Sequence, residues 1–170
     1  MDIAMLYEAR PLLGFEATKA ATLAALPGAQ VLHFAGHGIQ SLRLAPGDQD
    51  SSEEDRLLTA QEIAQLSLPN LRVVVLSACS TAKGEASRTE APSSLARAFL
   101  ISGATTVIGT LWPIDDSLPP EIFRSFHMHL KQGEDAATAL RLALISYNDS
   151  MGQAGWDDIR TWASFQAIGS

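Results

Sequence analysis

At 170 residues with a formal net charge of −7 and no basic run, the chain has the length of one domain able to bury a sheet between helices, and its acidity argues against direct nucleic-acid binding. No stretch is apolar for long enough to span a bilayer, and Met1–Arg10 carries acidic residues where a secretory leader needs a basic start, so a cytoplasmic protein off the membrane is expected. The single cysteine forms no internal disulfide, which fits a reducing compartment and leaves the thiol free.

In chain order, Phe15–Leu26 is alanine-rich, with Ala17, Ala20, Ala21 and Ala24 at helical spacing, and predicts a helix closed by Pro27 and Gly28. Val31–Ala35 is a strand-like run that stops at Gly36, His37 and Gly38. Ser41–Leu44 reads as a short strand or β-arm, and Ala45–Asp55, acidic with Gly47 and paired serines, as an exposed loop. Thr59 and Glu62 match a capping box, in which hydroxyl and carboxylate satisfy free amides at a helix start, so Ala60–Leu66 is predicted helical. After a turn at Pro69 and Asn70, Val73–Leu76 has the unbroken apolar character of a strand buried on both faces of a parallel sheet. It leads to Cys79.

Beyond the thiol, Ala82–Pro92 is polar and predicted to be a loop overhanging it. Ser93–Ser102 is a predicted helix with Leu95, Phe99 and Leu100 toward the sheet, stopped by Gly103 as a left-handed cap. Thr105–Leu111 is a third buried strand, which delivers Trp112, Pro113, Ile114, Asp115 and Asp116 to the same carboxyl rim. Pro119–Lys131 is a helix opened by proline and closed by Gly133. Glu134–Tyr147 is another, with Ala137, Leu140, Leu144 and Tyr147 along one stripe, and Trp162–Ile168 is a final short strand or turn. Trp112 and Trp162 are read as core or cleft-wall packing. Helices alternating with strands, without a fixed-period repeat, predict a three-layer α/β sandwich with a mainly parallel sheet.

Cys79 sits where a buried strand gives way to a loop, the place where open α/β sheets hold their ligands. A lone cysteine is often only a small buried hydrophobe, but parallel neighbouring strands would bring His37 beside this one, and an imidazole next to a thiol generates the nucleophilic thiolate. His33 and His37 compete for the role of base. They point to one face, but His33 lies inside the apolar run and is expected to serve folding, whereas His37 lies at the strand's end between glycines. The amides of Gly38 and Cys79 are candidates for an oxyanion hole. His33, His37 and Cys79 are also zinc-ligand types, yet an extended strand holds the two histidines about 13 Å apart, so no metal is assigned. His127 and His129 lie two apart on a helix and are expected at the surface. Asp115 and Asp116 either line a pocket for a basic side chain or cap the turn and helix at Pro119. No glycine-rich phosphate loop is present, and no cofactor is implied.

His-Phe-Ala-Gly-His-Gly from His33, Val-Leu-Ser-Ala-Cys-Ser-Thr from Val75, Leu-Ala-Arg-Ala-Phe-Leu-Ile-Ser-Gly-Ala from Leu95 and Leu-Trp-Pro-Ile-Asp-Asp from Leu111 resemble, in order and spacing, the CHAT domain of the caspase and separase clan. The resemblance runs from about Leu13 to the closing Trp162–Gly169. Thr81 stands where caspases carry glycine two residues after the nucleophile, so caspase specificity for aspartate is not carried over. The resemblance implies a caspase-like fold and a cysteine endopeptidase in which His37 and Cys79 cleave a protein or peptide substrate, with the Gly38 amide in the oxyanion hole. The rival readings are a catalytically silent scaffold or interaction module and a small-molecule hydrolase using the same dyad. Such domains are often joined to helical-repeat segments or gated by partners, so a regulatory partner or helical-repeat segment is expected. Family members usually carry further strands upstream of the His strand, and Met1–Pro11 is too short to supply them. The sheet is therefore expected to lack N-terminal strands, to expose an edge, and to self-associate or require an upstream segment.

Overall fold

The computed structural model describes residues 3–36, 41–48, 51–78, 91–111 and 120–169. A short helix α1 (Ile3–Leu6) is followed by a 3₁₀ turn at Gly14–Glu16 and by α2 (Lys19–Ala25). The helix starts later than the alanine spacing predicts, because the Thr18 hydroxyl caps it by accepting from the Ala21 amide at 3.2 Å. Strand β1 (Val31–Gly36) comes next, then β2 (Ser41–Arg43), which pairs antiparallel with β3 (Leu57–Thr59). β3 is absent from the sequence reading. Two leucines and a threonine are too short a run to announce a strand, but Leu42 and Leu58 sit at opposed positions of the ribbon and both are fully buried.

The expected capping box is present: Thr59 Oγ1 accepts from the Glu62 amide at 3.2 Å, and Glu62 Oε2 accepts from the Thr59 amide at 3.0 Å. It opens α3 (Ala60–Ala64). After β4 (Val73–Ala78), helix α4 (Ala91–Ser102) begins two residues before its expected start, since a proline in the first turn gives up only an amide that has no helical partner. Gly103 ends it with φ +116°, and a Cβ there would stand 3.0 Å from the Leu68 carbonyl oxygen. Strand β5 (Thr106–Thr110) leads to the helical pair α5 (Pro120–Lys131) and α6 (Ala136–Met151). Asp135 caps α6 by accepting from the amides of Ala137 and Thr138, each at 3.0 Å. Two short helices, α7 (Gln153–Asp157) and α8 (Ile159–Trp162), precede β6 (Phe165–Gly169).

The main sheet runs β1-β4-β5-β6, with the first three strands parallel and β6 antiparallel to β5. Alternation along the strands divides the core in two. Leu32, Phe34, Val74, Leu76 and Val107 face Ile63, Leu95, Ala98 and Phe99 of α3 and α4. Val31, Val73, Val75 and Ile108 face Ile122, Phe123, Phe126, Leu140 and Ala143 of α5 and α6. The result is the expected layered α/β arrangement, a mainly parallel sheet between helices. No helix among the described residues is long and apolar enough to cross a membrane.

Candidate active site

The two strands that precede the predicted dyad are immediate neighbours. β1 and β4 pair in parallel from Val31 opposite Val73 to Gly36 opposite Ala78. The next residues in the chain are His37 and Cys79. These two, with Gly38, Asp115, Asp116, Trp112 and most of the predicted overhanging loop, lie outside the described residues. What the structure positions is their platform. Gly36 closes β1 against the Phe34 ring, and a Cβ at Gly36 would fall 2.9 Å from that ring, so any side chain here must displace it. At the far side of β4, β5 ends at Thr110 and the Leu111 amide donates to the Ser164 carbonyl at 2.7 Å, which holds the start of the segment leading to Asp115 against the entry of β6.

His33 is built into the wall and is already engaged. Its Nδ1 lies 2.8 Å from Nε2 of His127 on α5, and Nδ1 of His127 lies 2.8 Å from the Tyr7 hydroxyl. The His33 ring also meets Phe123 edge-on at 5.1 Å between centroids. Burial pushes the His33 imidazole down to about 4, and burial with the nearby His33 pushes His127 down to about 3, so both rings are neutral at physiological pH. The ring is thus engaged within the fold, in keeping with its place inside the apolar run of β1.

His127 corrects the expectation of a surface residue, for it is fully buried, while His129 is partly exposed. The signal was present in the sequence. His127 falls one turn after Phe123 and beside Phe126, inside the apolar stripe of α5, whereas the expectation weighed only its direction relative to His129. Tyr7 carried no comparable sign, because its partner is distant in the chain. Trp162, at the end of α8, is half-buried. A groove of about 400 Å³ between α5 and α6 is lined by Glu121, Ser125, Ser146, Tyr147, Ser150 and Met151. No residue of β1 or β4 lines it, so it is not part of the strand-end platform.

Among curated proteins the chain is similar to tetratricopeptide repeat protein 28 of Homo sapiens, 27% identical over 198 residues, and to its Mus musculus counterpart at the same identity. Each alignment covers 95% of this chain and 8% of the relative, so the chain spans a small part of those proteins. Among solved structures it resembles the crystal structure of the Arg-specific cysteine proteinase gingipain R, with a TM-score of 0.65 and 13% identity over 99% of this chain and 40% of that one. That likeness is one of fold, and the fold is caspase-like. Residues 2–170 match the CHAT domain, and with the parallel strand pair and the layered sheet on which its motifs fall, the chain belongs to the CHAT domain family.

Proposed function

We propose that residues 1–170 act as one CHAT domain with cysteine endopeptidase activity, in which His37 and Cys79 form the dyad. The observation that supports this reading best is the register of β1 on β4: Gly36 and Ala78 are paired, and each is followed directly by one member of the dyad. His37 takes the thiol proton, and the thiolate attacks the scissile carbonyl carbon. The amides of Gly38 and Cys79 hold the resulting oxyanion. His37 returns the proton to the leaving amine as the C–N bond breaks, and water then hydrolyses the thioester to regenerate the thiol. Asp115 or Asp116 supplies a carboxylate for a basic side chain before the scissile bond, so cleavage follows Lys or Arg. A helical-repeat segment or partner regulates access.

Peptide libraries digested by wild type and by Cys79→Ala, read by mass spectrometry, test the proposal. Wild-type cleavage after basic residues that disappears in Cys79→Ala and His37→Ala supports it, and equal loss on basic and apolar peptides in Asp115→Ala or Asp116→Ala makes that carboxylate structural. The name of the curated relatives, which advertises helical repeats, favours a second reading, a silent interaction module. That reading predicts no cleavage by wild type and iodoacetamide labelling of Cys79 no faster than a free thiol.

A further inference from the structure

We propose that Tyr7, His127 and His33 form a directional hydrogen-bond chain that sets the placement of β1, making Tyr7 and His127 positioning residues for the base His37. The inference rests on the peptidase reading for its consequence, though not for its geometry. Three elements remote in the chain meet in two consecutive bonds, each 2.8 Å: the turn after α1 gives Tyr7, α5 gives His127 and β1 gives His33.

A neutral imidazole carries one N–H, so the bonds must all run one way. Among the described residues His127 is the one hydrogen-bond partner of the Tyr7 hydroxyl, and the proposed direction gives the phenolic hydrogen to that ring. In that direction Tyr7 donates to Nδ1 of His127. His127 donates through Nε2 to Nδ1 of His33, and His33 keeps its hydrogen on Nε2. The groups around the chain reinforce neutrality: Phe123 and Phe126 pack against the rings, and the Lys131 ammonium lies 5.3 Å from the Tyr7 ring centroid. No carboxylate bonds either imidazole among the described residues.

β1 is the strand for which such a chain matters. Among the described residues it lies at the edge of the four-stranded sheet, paired on one side only, and none of its residues is buried, whereas the first four of β5 are. Apolar packing thus holds β1 less firmly than its neighbours, and His33 supplies a directional anchor to α5 within the strand that ends beside His37. A displacement of an ångström or less at the base is enough to slow proton transfer while leaving substrate binding intact.

Tyr7→Phe removes one hydroxyl and keeps the ring, so it tests the chain with little disturbance to packing. The expected result is a kcat for peptide cleavage lowered about ten-fold with KM unchanged, together with a shifted pH profile of Cys79 alkylation by iodoacetamide. Imidazole ¹⁵N shifts should show the Nε2–H tautomer at His33 and His127 in wild type and a tautomer mixture in the variant. His127→Gln, which keeps an amide donor, should retain more activity than His127→Leu, and Tyr7→Phe should have no further effect in the His127→Leu background. A lowered Tm in Tyr7→Phe with the alkylation profile unmoved would make the chain merely structural and overturn the proposal, whether or not peptides are cleaved. Wild-type protein that cleaves nothing, but whose alkylation profile still responds to Tyr7→Phe, would overturn the peptidase reading and leave the positioning role standing.

Discussion

The neutral imidazoles of His33 and His127 make stability depend on pH in a defined direction. Each has a folded value pushed below the 6.5 of a free histidine, to about 4 and about 3, so between those values and 6.5 the unfolded chain binds protons that the folded chain does not. Their stabilising contribution is complete above about pH 6.5 and is lost as pH falls through about 4 toward about 3. Urea unfolding at stepped pH should show stability declining over that window, and His127→Leu should flatten the decline. A different buried group gives the opposite kind of prediction. Asn148 is 1% exposed and neither atom of its amide has a hydrogen-bond partner among the described residues, so replacing it with the similarly shaped leucine removes an uncompensated desolvation. Asn148→Leu should raise Tm by a few degrees in a thermal melt, and a fall would show that the amide has a role. At this scale the sequence revealed local chemistry well, as at Thr59 and Glu62, and distant partnerships poorly. Nothing near Tyr7 points to a histidine on a helix that arrives far later in the chain.

Among the elements, α3 depends on its first turn. Glu62 serves both the capping box and an ion pair with Lys19 of α2, Nζ to Oε1 2.7 Å, so one carboxylate ties two helices together. Its carboxyl is held below the ordinary range chiefly by Lys19 and then by the Thr59 amide. Thr59→Ala should cost about 1 kcal/mol in denaturant unfolding, and a cost near zero would mean that Glu62 and Lys19 hold the turn alone. The parallel strands could be read from the sequence because each is an apolar run bounded by turn residues, and Val74, Val75 and Val107 prove to be fully buried. β3 could not, since its burial comes from pairing with β2 rather than from its own composition. The antiparallel direction of β6 likewise depends on how α7 and α8 return the chain, which no short pattern encodes.

For the molecule as a whole, layer order was legible and surface behaviour less so. The alternation of helix and strand predicted the sandwich, but it said little of where apolar side chains would remain outside. Met5, Leu13 and Phe15 are 71%, 63% and 88% exposed, all in the segment before α2. Exposed apolar side chains concentrated in one segment favour association. Light scattering across a concentration series should show weak self-association that Leu13→Ser with Phe15→Ser diminishes. Because both side chains are already in water, the melting temperature should hold within about a degree. Unchanged association would assign any contact to another surface.

The shared end of β1 and β4 carries a further implication for when the proposed dyad can assemble. Sliding one strand past the other by a single residue turns its side chains to the opposite face, and sliding by two carries its end about 6.6 Å away. Only the pairing of Gly36 with Ala78 ends both strands level, so on the proposed reading a nascent, misthreaded or partly degraded chain has a thiol and an imidazole but no protease. On that reading, hydrolytic competence depends on a single register of two strands and is lost by any slip between them.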